Sequence, residues 1–255
     1  ELLRFFRNRL RLVISLVQPV LFLFVLGGGL ANLLPSSGDV DYRTFIFPGA
    51  IALTVLFTAL FSAMSIVWDR EFGFLREMLV APVRRGAIVA GKCAGGASIA
   101  TLQGAVMLLF AGLVHVPYSP VLLLTLLGEM ALAAVALTAA GMMLAGHVTK
   151  IESFQAVVQF LVLPMFFLSG AVYPVSDLPG WLSALNKVDP VSYAVDPMRR
   201  AVFDHITVPD RLEARLNPGI SWGDWRLPVA FELLLLALFG AAMLIVAIRQ
   251  FNRIE

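Results

Sequence analysis

Residues 86–93 read GAIVAGKC: glycine, four residues, glycine, lysine, then cysteine. Two incompatible folds hang on this stretch. A phosphate-binding loop sits between a strand and a helix of a soluble sheet. Its backbone N–H groups cradle phosphate and a Ser or Thr hydroxyl holds Mg²⁺. Here Cys93 replaces that hydroxyl, and Pro82, Arg84 and Arg85 precede Gly86 where a strand would be needed. An apolar stretch of membrane length follows, and no later apolar run ends in an aspartate that could hold magnesium. The stretch therefore reads as the mouth of a membrane span. Lys92 is expected to snorkel to the headgroups, and the small residues of AGKCAGGAS suit close helix packing.

The rest of the chain agrees. Of 255 residues, 59% are hydrophobic and 14% charged, against roughly 25% charged in a soluble domain. Mean hydropathy is +0.87. A spanning helix needs about 20 apolar residues, and several runs reach that length. The net charge of +2 gives no reason to expect a nucleic-acid partner. A single cysteine, Cys93, excludes an internal disulfide and a cysteine metal cluster. The first apolar run is too long for a signal core and lacks a small-residue cleavage pattern, so no cleavable signal peptide is expected.

The predicted fold is an all-α membrane protein with six spans, at about 12–34, 44–68, 86–114, 121–146, 154–172 and 227–248. The fifth is expected to break at Pro164. Lysine and arginine in the short loops set orientation. Arginines cluster before the first span, at 70, 76, 84 and 85, and at 249 and 253, with Lys150 after the fourth span. The opposite short loops hold Arg43 alone. Both termini are thus expected in the cytoplasm and the mixed segment 173–226 outside. No internal repeat is evident, which argues against an inverted-repeat transporter.

At the N-terminus Arg4, Arg7 and Arg11 recur at helical spacing with Phe6 on another face, the pattern of an amphipathic helix lying in the interface over 1–11. The segment DREFGFLREMLVAPVRR, 69–85, carries both charge signs. Phe72, Leu75 and Leu79 fall at helical spacing, Asp69, Arg70, Glu71, Gly73, Arg76 and Glu77 accompany them, and Pro82 stops the helix. A short amphipathic helix held between two spans can be gripped by a soluble partner, or can be a plain interfacial connector. Charges inside a membrane are costly and functional by default. Glu129 lies about nine residues into the fourth span, roughly 13 Å at ~1.5 Å per residue. It is a candidate for the pathway or for a structural pair. Glu232, about five residues into the sixth span, could likewise line a pathway or pair with a basic group, and is expected at the outer interface. Gln155 and Gln159 share a face and are candidates to line the pathway or hydrogen-bond across a dimer; Phe57 and Phe61, also one turn apart, could contact an apolar substrate, with lipid or core packing the expected reading. An intramembrane serine protease would need a base beside Ser169, yet His205 lies in the mixed segment, and nothing resembles a channel filter.

WDREFGFLREMLVAPVRRGAIVAGK (68–92) resembles the segment after the second span of ABC-2-type transporter permeases. FFLSGAVYPVSDLPGWLSALNKVDPVSYAVDPMRRAV (166–202) resembles the stretch from their fifth span outward. The resemblance covers nearly the whole chain, 1–255, as one transmembrane domain, and is closest to the daunorubicin-resistance type of drug exporter. It implies a dimer with a second copy or a related permease, and a separate cytoplasmic ATPase subunit that binds ATP and Mg²⁺. This chain would then bind no cofactor or metal and have no catalytic residue. The match to 69–83 implies a coupling helix docked into the ATPase, and 1–11 would rest on the membrane lipids. Ser169, Gly170, Tyr173, Pro174, Pro179 and Trp181 would belong to re-entrant helices, from about 169 to 189, that close the outer end. The cargo implied is an amphipathic drug or a lipid, with a polysaccharide or other glycoconjugate as the alternative. The location implied is the plasma or inner membrane. HITVPDRLEARLNPGISWGDW (205–225) departs from the pattern as an outer insertion.

Overall fold

The computed structural model describes residues 16–29, 41–73, 85–175, 179–223 and 225–252. The chain runs through α1 (Leu16–Gly29), α2 (Tyr42–Glu71), α3 (Arg85–Val114), α4 (Pro120–His147) and α5 (Ile151–Leu168). It continues through α6 (Gly180–Val188), α7 (Ser192–Phe203) and α8 (Asp210–Leu216). A small hairpin of β1 (Ser221–Trp222) and β2 (Trp225–Arg226) leads into α9 (Val229–Asn252). The hairpin is antiparallel and pairs Ser221 with Arg226 and Trp222 with Trp225.

Among the described residues, α2, α3, α4, α5 and α9 are long and apolar enough to cross a membrane. Their bounds fall within a few residues of the predicted spans. α1 is a shorter apolar helix inside the predicted first span, with a π-helical stretch at Phe22–Leu26. Successive long helices alternate in direction, so one end of the bundle holds Tyr42 and the other holds Glu71.

α4 is the central helix, packed on α2, α3 and α9. Small residues set how close the spans lie. A Cβ on Gly96 of α3 would fall 2.8 Å from the Ser62 Cβ and 3.1 Å from the Thr138 methyl, so only glycine lets α2, α3 and α4 meet there. The aspartate at α2's start, Asp41, caps it by accepting from the Arg43 N–H. α2 is interrupted at Ala63, where the Ile66 N–H turns back to the Ala63 carbonyl at 3.0 Å.

The expected break at Pro164 is not observed. α5 continues through Pro164 to Leu168. The proline forfeits one backbone bond, a cost that transmembrane helices tolerate, and the helix ends instead at Ser169. α7 is the larger departure. Every residue from Ser192 to Phe203 is buried, in the stretch expected as an outer mixed segment.

Candidate functional site

α2 has 30 residues, about 45 Å at ~1.5 Å per residue, against a hydrocarbon core of about 30 Å. Its last turn therefore reaches past the apolar layer. Each charge in that turn engages a different helix. The Asp69 carboxylate lies 2.5 Å from the Lys92 Nζ of α3. Arg70 Nη1 donates to the carbonyls of Ala145 (3.3 Å), Gly146 (3.3 Å) and Val148 (3.1 Å). These are the open carbonyls at the C-terminus of α4, where a cation is favoured. The Glu71 carboxylate accepts from the Ile151 N–H at 2.8 Å, at the N-terminus of α5, where an anion is favoured.

This arrangement corrects two expectations. Lys92 does not snorkel to headgroups, because Asp69 holds it and Ser65 Oγ lies 3.4 Å away. Residues 86–93 are helical within α3, so past the first turn their N–H groups are taken up by the helix itself. The helix expected over 69–83 is also interrupted at its described end, where Glu71 is the last helical residue. Gly73 has φ +81, the left-handed conformation that ends helices and favours glycine. Asp69, Arg70 and Glu71 are thus the last turn of α2, and Phe72 belongs with them. Leu75, Arg76, Glu77, Leu79 and Pro82 lie outside the described residues, as do Arg4, Phe6, Arg7 and Arg11.

What α2 presents outward is aromatic. Phe72 is 57% and Trp68 49% exposed, with ring centroids 5.0 Å apart. The sequence reading placed Trp68 at the end of the second span and gave it no role of its own. Its signal is the one-turn spacing from Phe72.

Within the bundle, Phe57 and Phe61 are half-buried and stack with centroids 6.0 Å apart. With Met64 they form one face of α2. Gln155 and Gln159 are exposed on one side of α5, and Gln155 Nε2 approaches the Met64 sulfur at 4.0 Å. Glu129 stands apart, buried at 5% exposure, and its Oε2 has no hydrogen-bond partner among the described residues. A cleft of about 410 Å³ opens between α4, α5, α6 and α9. Its walls are almost wholly apolar, with Met143, Leu161, Met165 and Phe239 among them and Asp189 at one end.

At the Tyr42 end, α5 turns through Ser169 and Gly170 into Tyr173 and Pro174. Tyr173 Oη donates to the Phe167 carbonyl at 2.7 Å. Pro179 and Trp181 are exposed at the start of α6. Asn186 Nδ2 ties α6 to the end of α5 through the Leu168 carbonyl, 2.7 Å, and to α7 through Ser192 Oγ, 2.9 Å. Burial pushes the Asp189 carboxyl up to about 7, against the Val191 N–H and Ser192 hydroxyl that pull it down.

α7 carries two buried arginines. Arg199 Nη2 donates to the Gly170 carbonyl at 2.6 Å, and its guanidinium lies 4.3 Å from the Phe45 ring centre. Arg200 pairs with Asp196 at 2.5 Å and with Glu232 at 2.8 Å. Glu232, 0% exposed, is therefore an interior partner of Arg200 rather than an interface residue. Ser169 and His205 do not form a catalytic pair. The Ser169 hydroxyl donates to the Phe166 carbonyl at 2.7 Å, and the His205 ring lies 2.9 Å from the Ala201 carbonyl.

Among the described residues, five helices are long and apolar enough to cross a membrane, and the charges at the end of α2 fasten it to α3, α4 and α5. The family model described as "ABC-2 type transporter" matches residues 1–203. The chain is 30% identical over 196 residues to Nodulation protein J of Rhizobium leguminosarum bv. trifolii, covering 76% of this chain and 74% of that one. It is 28% identical over 198 residues to a protein named Putative transport permease ycf38 from Cyanophora paradoxa, covering 76% and 68%. A protein of the same name from Porphyra purpurea is 28% identical over 241 residues, covering 91% and 80%. The chain belongs to the ABC-2 type transporter family.

Proposed function

We propose that this chain is the membrane subunit of an ATP-driven exporter, with ATP and Mg²⁺ held on a separate cytoplasmic subunit. Permeases of the family work with ATP-binding subunits. The observation that carries the reading is the exposed Trp68–Phe72 pair at the end of α2. Large aromatics left bare beside charges that are already occupied form an anchor of the kind found at protein interfaces. In this reading the Glu71 end faces the cytoplasm, with both termini, and the ATPase grips the segment that follows Gly73. The Tyr42 end faces outside, where Ser169–Asp189 closes the pathway. Two copies, or this chain and a related permease, complete the pathway in the plasma or inner membrane.

The cargo proposed is amphipathic or lipid-like. The apolar cleft on α4, α5 and α9 supports that class, as does the half-buried Phe57–Phe61 pair beside the glutamine face of α5. Co-purification is the test. The ATP-binding subunit should accompany the native chain and be lost on Phe72→Ala. A chain that purifies with no ATP-binding subunit would contradict the proposal.

A further inference from the structure

α5 is lightly held by the bundle. Only 22% of its apolar window is buried in the chain, against 67% for α2, and its contacts run mainly along α2. Both of its ends are nevertheless fastened. At the Glu71 end, the Glu71 carboxylate accepts from the Ile151 N–H at 2.8 Å. At the other end, three consecutive residues of the turn that follows α5 are fixed, two by one face of α2 and the third by Arg199 of α7, which stacks on that face. Tyr42 Oη donates to the Val172 carbonyl at 2.6 Å. Gly49 leaves room for Ala171, whose carbonyl oxygen would lie 2.6 Å from any Cβ placed there. Arg199, stacked on Phe45, donates to the Gly170 carbonyl. Residues 42, 45 and 49 recur at helical spacing, which puts them on a common face.

The two sets of fastenings lie on opposite sides of the interruption at Ala63. There the regular ladder of α2 gives way to a tighter turn, the kind of site at which helices bend. α2 alone would dissipate at that joint a push delivered to its cytoplasmic end. α5 is continuous from Ile151 to Leu168 and bridges the joint.

We propose that α5 is a strut, pinned to α2 by Glu71 inside and by Tyr42 and Gly49 outside, that carries displacement of the α2 end to the Gly170–Val172 turn. The strut rests on the functional reading above and adds the residues through which the push travels. It makes Glu71 a positioning residue that acts through Ile151, and Tyr42 its counterpart at the outer closure.

The test uses the full chain with its co-purifying ATP-binding subunit in reconstituted membranes. A single reporter cysteine replaces Pro174 in a Cys93→Ser background. The probe is an impermeant maleimide, with and without ATP plus vanadate. In the parent, trapping should change the reporter's labelling rate by roughly tenfold, a usual size for coupling between sites. Glu71→Ala should abolish that change while the ATP-binding subunit stays bound. Glu71→Gln, which keeps an acceptor oxygen, should retain it. Tyr42→Phe, a substitution that removes only a hydroxyl, should diminish it. Glu152→Ala, at an exposed carboxylate one residue beyond Ile151, is the control and should match the parent. A parent-like response in both Glu71→Ala and Tyr42→Phe would overturn the strut, as would a parent that does not respond to trapping. A parent with no ATP-binding subunit attached would instead overturn the functional reading, and the strut with it.

Discussion

Arg199 donates to the Gly170 carbonyl at 2.6 Å from beneath the Phe45 ring. One side chain thus joins α7, α2 and the turn after α5. Arg199→Leu leaves that carbonyl without its donor, a cost of about 1–3 kcal/mol. Thermal unfolding in detergent should fall accordingly. Arg199→Lys should fall between, since an ammonium keeps the charge and loses the planar stack. A Leu variant as stable as the parent would contradict this assignment.

Arg200 serves two carboxylates, Asp196 and Glu232. Removing it leaves both buried and facing one another, so Arg200→Met should cost about 3–5 kcal/mol. Glu232→Gln should cost less, because Asp196 still pairs. Combining Arg200→Met with Glu232→Gln should cost less than the sum of the two. Chemical denaturation of the three variants measures the order, and equal or additive losses would contradict it.

Five of the spans were legible because about 20 apolar residues in a row have few other uses. What joins the spans was not. Arg70 and Glu71 read as charges for a soluble partner, since the groups they satisfy are backbone carbonyls and an N–H that exist only once α4 and α5 are formed. Glu232 read as an interface residue because its partner lies 32 positions away on a helix that hydropathy does not single out. The φ of Gly73 divided a stretch whose apolar spacing suggested one helix. Trp68 was visible at one turn from Phe72 and was assigned to the span. For the candidate site, then, the direction each described side chain takes was not legible in the sequence.

Asp189 gives a pH dependence. Its carboxyl is raised from 3.8 to about 7 by burial, so the folded chain holds that proton more tightly than the unfolded chain. Stability contributed by the protonated form is therefore lost as pH rises from about 4 toward 7. Asp189→Asn should flatten that slope in thermal unfolding between pH 5 and pH 8. Identical slopes would contradict the assignment.

Orientation is tested by cysteines in a Cys93→Ser background. Those at Ser119 and Ser183 should react with an impermeant thiol reagent added outside intact cells. One at Ser153, in the first turn of α5, should not. A reversed pattern would place the α2 end away from any cytoplasmic partner.

The most direct measurement is capture of the ATP-binding subunit by variants of the exposed aromatic pair. Losing a central interface anchor costs roughly 2 kcal/mol or more, about a thirtyfold loss of affinity. Phe72→Ala and Trp68→Ala should therefore release the subunit or uncouple its ATP hydrolysis from export, while still inserting in the membrane. Arg215→Ala, exposed on α8 at the opposite end, should bind as the parent does. Parent-level capture and export by both aromatic variants would mean that the end of α2 is only a connector, and the central claim would be wrong.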